Sequence, residues 1–209
     1  MVELVAGLIL FLGAHSMRIF DEAGRARAIA HFGEMPYKLG VTILSLIGFG
    51  LLWHGYGLAR LAPQMIWVPP LAARHIAAPL MLVAIIFLVA AHVPANHIKA
   101  KLRHPMILSV KIWALAHLLA NGTLADVVLF GSFLLWAIFD FRTARQRDRL
   151  SFDQPATPAF DQPTPATVLA APAASLRGTA LTIVLGAALW VFFVVYLHQK
   201  LIGVSPLGV

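Results

Sequence analysis

No cysteine occurs in the 209 residues. Its absence excludes disulfides, thiolate ligation of metals and thiol redox chemistry, and leaves the redox state of the compartment open. Charge is scarce too: Asp, Glu, Lys and Arg make up 12% of the chain, about half of the roughly 25% usual in soluble domains. There is no His-Glu-x-x-His pair and no cluster of carboxylates inside any apolar run. Both absences argue against a zinc protease or hydrolase.

What is abundant is hydrocarbon. Hydrophobic residues account for 60% of the chain and the mean hydropathy is +0.82, which describes an integral membrane protein. The net charge of +7 could suggest nucleic acid, but the basic residues are scattered at the ends of apolar runs and form no continuous patch. Membrane lipids with anionic headgroups are the partner this pattern fits, and no nucleic acid is expected.

A crossing helix needs about 20 apolar residues. Six runs qualify: Val2 to Phe20, Tyr37 to Ala59, His75 to Val93, Pro105 to Asn121, Leu124 to Phe141 and Gly178 to Leu197. The expected fold is therefore all-α, a polytopic transmembrane helix bundle of about six spans. Glu3 stands where a signal peptide carries its basic region and Arg18 follows the apolar core, so the first run reads as a retained helix. With the N-terminus outside, twelve Lys and Arg fall on the cytoplasmic side and three outside, Arg60, Arg74 and Lys200. The positive-inside rule then places both termini outside. Residues 1–150 read as a five-helix membrane core, 151–176 as a Pro/Ala-rich cytoplasmic linker, and 177–209 as the sixth helix with its tail. Within the linker Phe152-Asp153-Gln154-Pro155 recurs as Phe160-Asp161-Gln162-Pro163, either a tolerated length change or a docking site for a partner.

The stretch Leu102 to Gly122 carries the costliest residues. Lys111 and His117 lie inside an otherwise apolar span, where an ionisable group needs a cavity, a partner or a ligand. His15, His54 and His92 also fall within spans, whereas His31, His75, His97, His104 and His198 lie at boundaries or in loops. Without cysteine or clustered carboxylates in the spans, imidazole pairs on different helices fit a haem iron held in a bundle. At about 1.5 Å per residue His117 lies about 18 Å from the cytoplasmic end, His15 about 8 Å and His54 about 24 Å. The gap of about 10 Å between His15 and His117 is awkward for an axial pair, and His54 is the other histidine near the depth of His117. Val110, Ala114, His117 and Asn121 share one face of their helix, while Lys111 is about 120° away. Lys111 has a haem propionate, a lipid phosphate or a carboxylate such as Asp126 or Asp140 as candidate partners. The five tryptophans read as packing or interface anchors.

Three runs carry a resemblance: Pro94-Ala95-Asn96-His97-Ile98-Lys99, Leu102-Arg103-His104-Pro105-Met106, and Trp113-Ala114-Leu115-Ala116-His117-Leu118-Leu119-Ala120-Asn121-Gly122. Together they resemble the core signature of the NnrU family. Gly13-Ala14-His15-Ser16, Tyr37-Lys38-Leu39 and Leu201-Ile202-Gly203-Val204 fit as well, so the likeness covers nearly the whole chain outside the linker. It implies a multi-pass protein of the bacterial inner membrane linked with nitrogen-oxide metabolism and denitrification. It also implies kinship with the zeta-carotene isomerases, haem b enzymes that isomerise a carotenoid double bond. Their ligand histidines correspond to His15 and His117, which makes haem b the expected cofactor, with Lys111 and Asn121 as further candidate cofactor-binding residues and an apolar small molecule as a candidate substrate. Those relatives carry a cysteine where this chain has Ala114, so a thiolate ligand switch is excluded here.

Three functions compete on these grounds. The leading one is a membrane haem b protein with a redox, nitrogen-oxide-related or isomerase-like role. A transporter or proton relay would use Lys111 and the histidines as a polar path, although no internal repeat or broken-helix pair supports it. An accessory or assembly factor for a respiratory or nitrogen-oxide enzyme would use the linker to recruit its partner.

Overall fold

Backbone N–H and C=O groups inside hydrocarbon have no water to bond, so each crossing segment must close its hydrogen bonds within itself. The computed structural model describes residues 1–153 and 173–206. In chain order its helices are α1 (Val2–Phe20), α2 (Glu22–Phe32), α3 (Glu34–Leu61), α4 (Leu71–His92), α5 (His97–Leu102), α6 (Pro105–Ala120), α7 (Leu124–Asp153), α8 (Leu176–Phe192) and α9 (His198–Ile202). A π-helical turn over Phe193–Leu197 joins α8 to α9, so that Leu176–Ile202 runs as one apolar segment. Among the described residues there is no strand, only an isolated bridge between Met65 and Thr123.

Five helices are long and apolar enough to cross a membrane, and the shorter α6, with 16 residues, is apolar apart from Ser109, Lys111 and His117. Three helices lie outside the expected spans, α2, α5 and the short α9 that continues the last span. The α2 helix buries no residue and starts at Asp21, whose side chain accepts from the Gly24 N–H. The α5 helix is a single short turn ahead of Pro105. Helix α7 reaches Asp153 rather than ending at Phe141, because hydropathy limits the crossing but not the helix, and Arg, Gln, Ala and Leu continue a helix well in water. The segment 154–172, with most of the linker and its near-repeat, lies outside the described residues.

Between helices in lipid there is little hydrophobic gain, so close packing of small side chains decides who pairs with whom. Helices α1 and α3 make the most intimate pair. A Cβ on Gly7 would lie 2.6 Å from the Leu52 backbone nitrogen, and one on Gly48 would lie 2.7 Å from that of Phe11. Around this contact Leu4, Leu8 and Leu52 are buried together with Ala125 of α7. Buried Ala84, Ala114 and Ala116 are likewise small residues of α4 and α6, and the Ser109 hydroxyl donates to the Ala84 carbonyl at 2.7 Å. Following the contacts, the helices succeed one another as α3, α1, α7, α6, α4 and α8. Their outward faces, such as Ile9, Leu46 and Val184, are exposed apolar surface that a bilayer would cover.

Asn96 fastens the end of α4 to the start of α5. Its carbonyl accepts from the Lys99 N–H at 2.7 Å, while its amide donates to the Ala90 and Val93 carbonyls at 3.0 and 2.6 Å. Asn96→Ala removes the cap and leaves these buried partners unpaired, an expected loss of about 2–3 kcal/mol. Thermal unfolding in micelles should show it, with Asn96→Asp intermediate because it keeps only the acceptor.

Candidate functional site

Helix α7 is the floor of the site. Both α1 and α6 pack on it, whereas among the described residues α1 and α6 do not pack directly on each other, so α7 is the element that links them. In the middle of that floor Phe133 lies 5.7 Å from Phe11 of α1 and 5.4 Å from Trp113 of α6, between ring centroids. Phe130, one turn from Phe133, is 5.1 Å from Trp113.

The two histidines expected to matter both open onto this aromatic layer. His15 follows Phe11 by one turn and its ring lies 4.6 Å from it. His117 follows Trp113 by one turn at 5.3 Å, and its ring stacks on Phe130 at 4.5 Å. Successive crossings alternate in direction, so α1 and α6 are antiparallel and one turn beyond Phe133 leads to opposite sides of it. The resulting difference in level is about 12 Å between backbone positions. The floor agrees: His15 meets Trp136 at 6.3 Å, six residues or about 9 Å along α7 from the Phe130 that supports His117. The separation expected from residue counting is therefore present. Helical side chains lean toward their own N-terminus, so the two imidazoles tilt toward each other and toward the level of Phe133.

Both rings are held in the same tautomer. His15 Nδ1 is 2.7 Å from the Phe11 carbonyl and His117 Nδ1 is 2.9 Å from the Trp113 carbonyl. A carbonyl only accepts, so each Nδ1 carries the proton and each Nε2 presents a lone pair. That is the state in which a histidine ligates metal, with its other nitrogen fixed by a backbone acceptor. His92 makes the same bond to Leu88, but no aromatic ring within the bundle accompanies it.

Other expected residues have different neighbours. The Asn121 amide donates to the His117 backbone carbonyl at 2.9 Å, so it ends α6 and steadies the His117 backbone without touching its ring. Lys111 lies with its ammonium 4.7 Å from the Phe141 ring, well away from His117, as the helical phase requires. Asp126 is engaged elsewhere: Tyr56 donates to it at 2.6 Å and the Thr123 hydroxyl and N–H at 2.6 and 2.9 Å. Neither it nor Asp140 forms an ion pair with Lys111 among the described residues. His54, the alternative at the depth of His117, is paired with Glu3 at 2.5 Å. Among the described residues no group of three or more His, Cys, Asp or Glu side chains could hold a metal ion. A bis-imidazole haem requires only two.

The aromatic layer is what residue-by-residue reading missed. Its signal was present as an aromatic residue four positions before each histidine, Phe11 before His15 and Trp113 before His117, with Phe130, Phe133 and Trp136 at three-residue spacing on α7. The donor set fits a haem in chemistry, tautomer and apolar surroundings. Beside His15 the buried Trp136 indole N–H has no hydrogen-bond partner, and an unmet buried donor fits a ligand bearing an acceptor.

A comparison with family models finds one covering residues 3–206, described as NnrU protein. No curated protein matches the chain, and no solved structure matches it.

Proposed function

The chain belongs to the NnrU family, and from that premise we propose that it is a membrane haem b protein in which His15 and His117 would hold the iron. The observation that carries the reading is the pair of imidazoles on two helices packed against α7, each with Nδ1 tied to a backbone carbonyl, beside one layer of aromatic rings. When bound, haem b would supply one-electron chemistry. The protein's part is then to fix tautomer, exclude water and surround the group with rings. Asn121 holds the backbone of one ligand in place. A redox or nitrogen-oxide-related role fits these parts better than isomerisation through a thiolate switch, because the fully buried Ala114 stands one turn before His117 and offers no sulfur.

The test is an optical spectrum of the full-length protein purified in detergent from haem-replete cells, with and without reductant. A Soret band, resolved α and β bands on reduction, and about one haem b per chain are expected. A folded preparation with no Soret band would refute the proposal.

A further inference from the structure

Lys111 remains unexplained by the haem reading. Its ammonium lies over the Phe141 ring at 4.7 Å, and the Arg145 guanidinium lies 5.9 Å from the same ring. Two cations thus share one aromatic ring, and Lys111 has no carboxylate partner among the described residues. Such a pair repels itself and attracts an anion.

Arg145 also lines an open cavity of about 510 Å³, together with Lys101, Arg103, Arg149 and Asp148. The single carboxylate is already committed, to His104 at 3.1 Å and to Arg103 at 3.4 Å. Arg103 sits in the left-handed backbone region with φ 62°, an uncommon conformation for a residue with a side chain, and one that directs the chain from α5 into α6. The N-cap of α6, His104, makes no side-chain cap bond, so the positive end of that helix dipole lies at the same membrane face.

Depth identifies the class of ligand. Lys101 precedes α6 in the interfacial zone, whereas Lys111 lies six residues inside it, about 9 Å deeper. A soluble anion would be served by the rim alone. An anion whose other end continues into hydrocarbon can use both levels, and basic pockets at helix ends are suited to anionic lipid heads. We propose that this cavity seats the phosphodiester of an anionic phospholipid, with Arg145 and Arg149 at the headgroup and Lys111, which shares the Phe141 ring with Arg145, adding its charge from deeper in the bundle. The inference is independent of the haem assignment.

The full-length protein, delipidated in a neutral detergent, is given phosphatidylglycerol, phosphatidylcholine or inorganic phosphate, and retained lipid is read by native mass spectrometry alongside thermal stability. Phosphatidylglycerol is expected to be retained and to raise the melting temperature, with little effect from phosphatidylcholine or phosphate. The double variant Arg145→Gln/Arg149→Gln should lower retention by on the order of tenfold, and Lys111→Met should lower it where Lys111→Arg does not. Should the double variant fail to fold, Lys101→Gln on the cavity rim is expected to give a few-fold loss by itself. Retention unchanged in the folded variants would overturn the site. Equal stabilisation by inorganic phosphate would overturn the lipid assignment in favour of a soluble anion.

Discussion

His117→Ala is expected to yield a folded membrane protein that has lost most of its haem, with retention down by at least about tenfold. Changing even a group that only orients a ligand commonly costs 10- to 100-fold in affinity. His15→Ala should behave in the same way, while His92→Ala and His54→Ala keep a normal haem content. Helical content and elution as a single species establish that each variant is folded, and added imidazole should restore part of the Soret band in the two ligand variants. The levels of the rings make this comparison decisive. His15 lies against Trp136 and His117 against Phe130, so a shared iron draws on the lean of both rings toward Phe133. Loss of haem confined to one variant would rule out the His15–His117 pair, because the second ligand would then come from elsewhere.

Gly48→Leu should be strongly damaging to stability. The position faces α1, and any Cβ there meets the Phe11 backbone nitrogen at 2.7 Å and its Cβ at 3.1 Å. Backbone atoms cannot swing aside, so the helices must separate, and overpacking of this kind costs typically 1–3 kcal/mol and more when the obstacle is rigid. We expect a loss above about 3 kcal/mol, seen as a sharp fall in melting temperature and in monodisperse yield. Gly50, two residues on, has nothing within 4 Å, so Gly50→Leu is the matched control and should be nearly neutral. Because Phe11 also flanks His15, the milder Gly48→Ala should shift the haem spectrum. An equal response at Gly48 and Gly50 would mean that this face of α3 is not the contact with α1.

Much of the fold was legible because lipid imposes one rule on every crossing segment. Val2–Phe20 appears with the bounds read from its apolar run, and Pro105 opens α6, where its missing N–H does no harm. What escaped was governed by water. Helix α2 has near-balanced polarity and no buried residue, so no hydropathy contrast announces it, and the charged end of α7 continues a helix that had already left the apolar stretch. The histidines inside the spans were legible in the sequence, and the aromatic rings around them were not. Sequence depth gave the separation of His15 and His117, but which rings lie between them depends on α7 packing between α1 and α6, a tertiary fact with no local signature. For Lys111 the helical phase sufficed to part it from His117, whereas its place over Phe141 required the fold.

The order in which the helices touch also sets a timetable for assembly. Helices α1 and α3 can pair as soon as both are inserted, and nothing synthesised later is needed for that contact. The aromatic layer, by contrast, is incomplete until α7 has followed α6 out of the ribosome, although Phe11 of α1 was made first. His15 therefore waits in the membrane through four further crossings before Trp136 is there to meet it. Helix α8 packs on α4 and α5 and adds no ring to that layer among the described residues, so the layer is complete one crossing before the chain is.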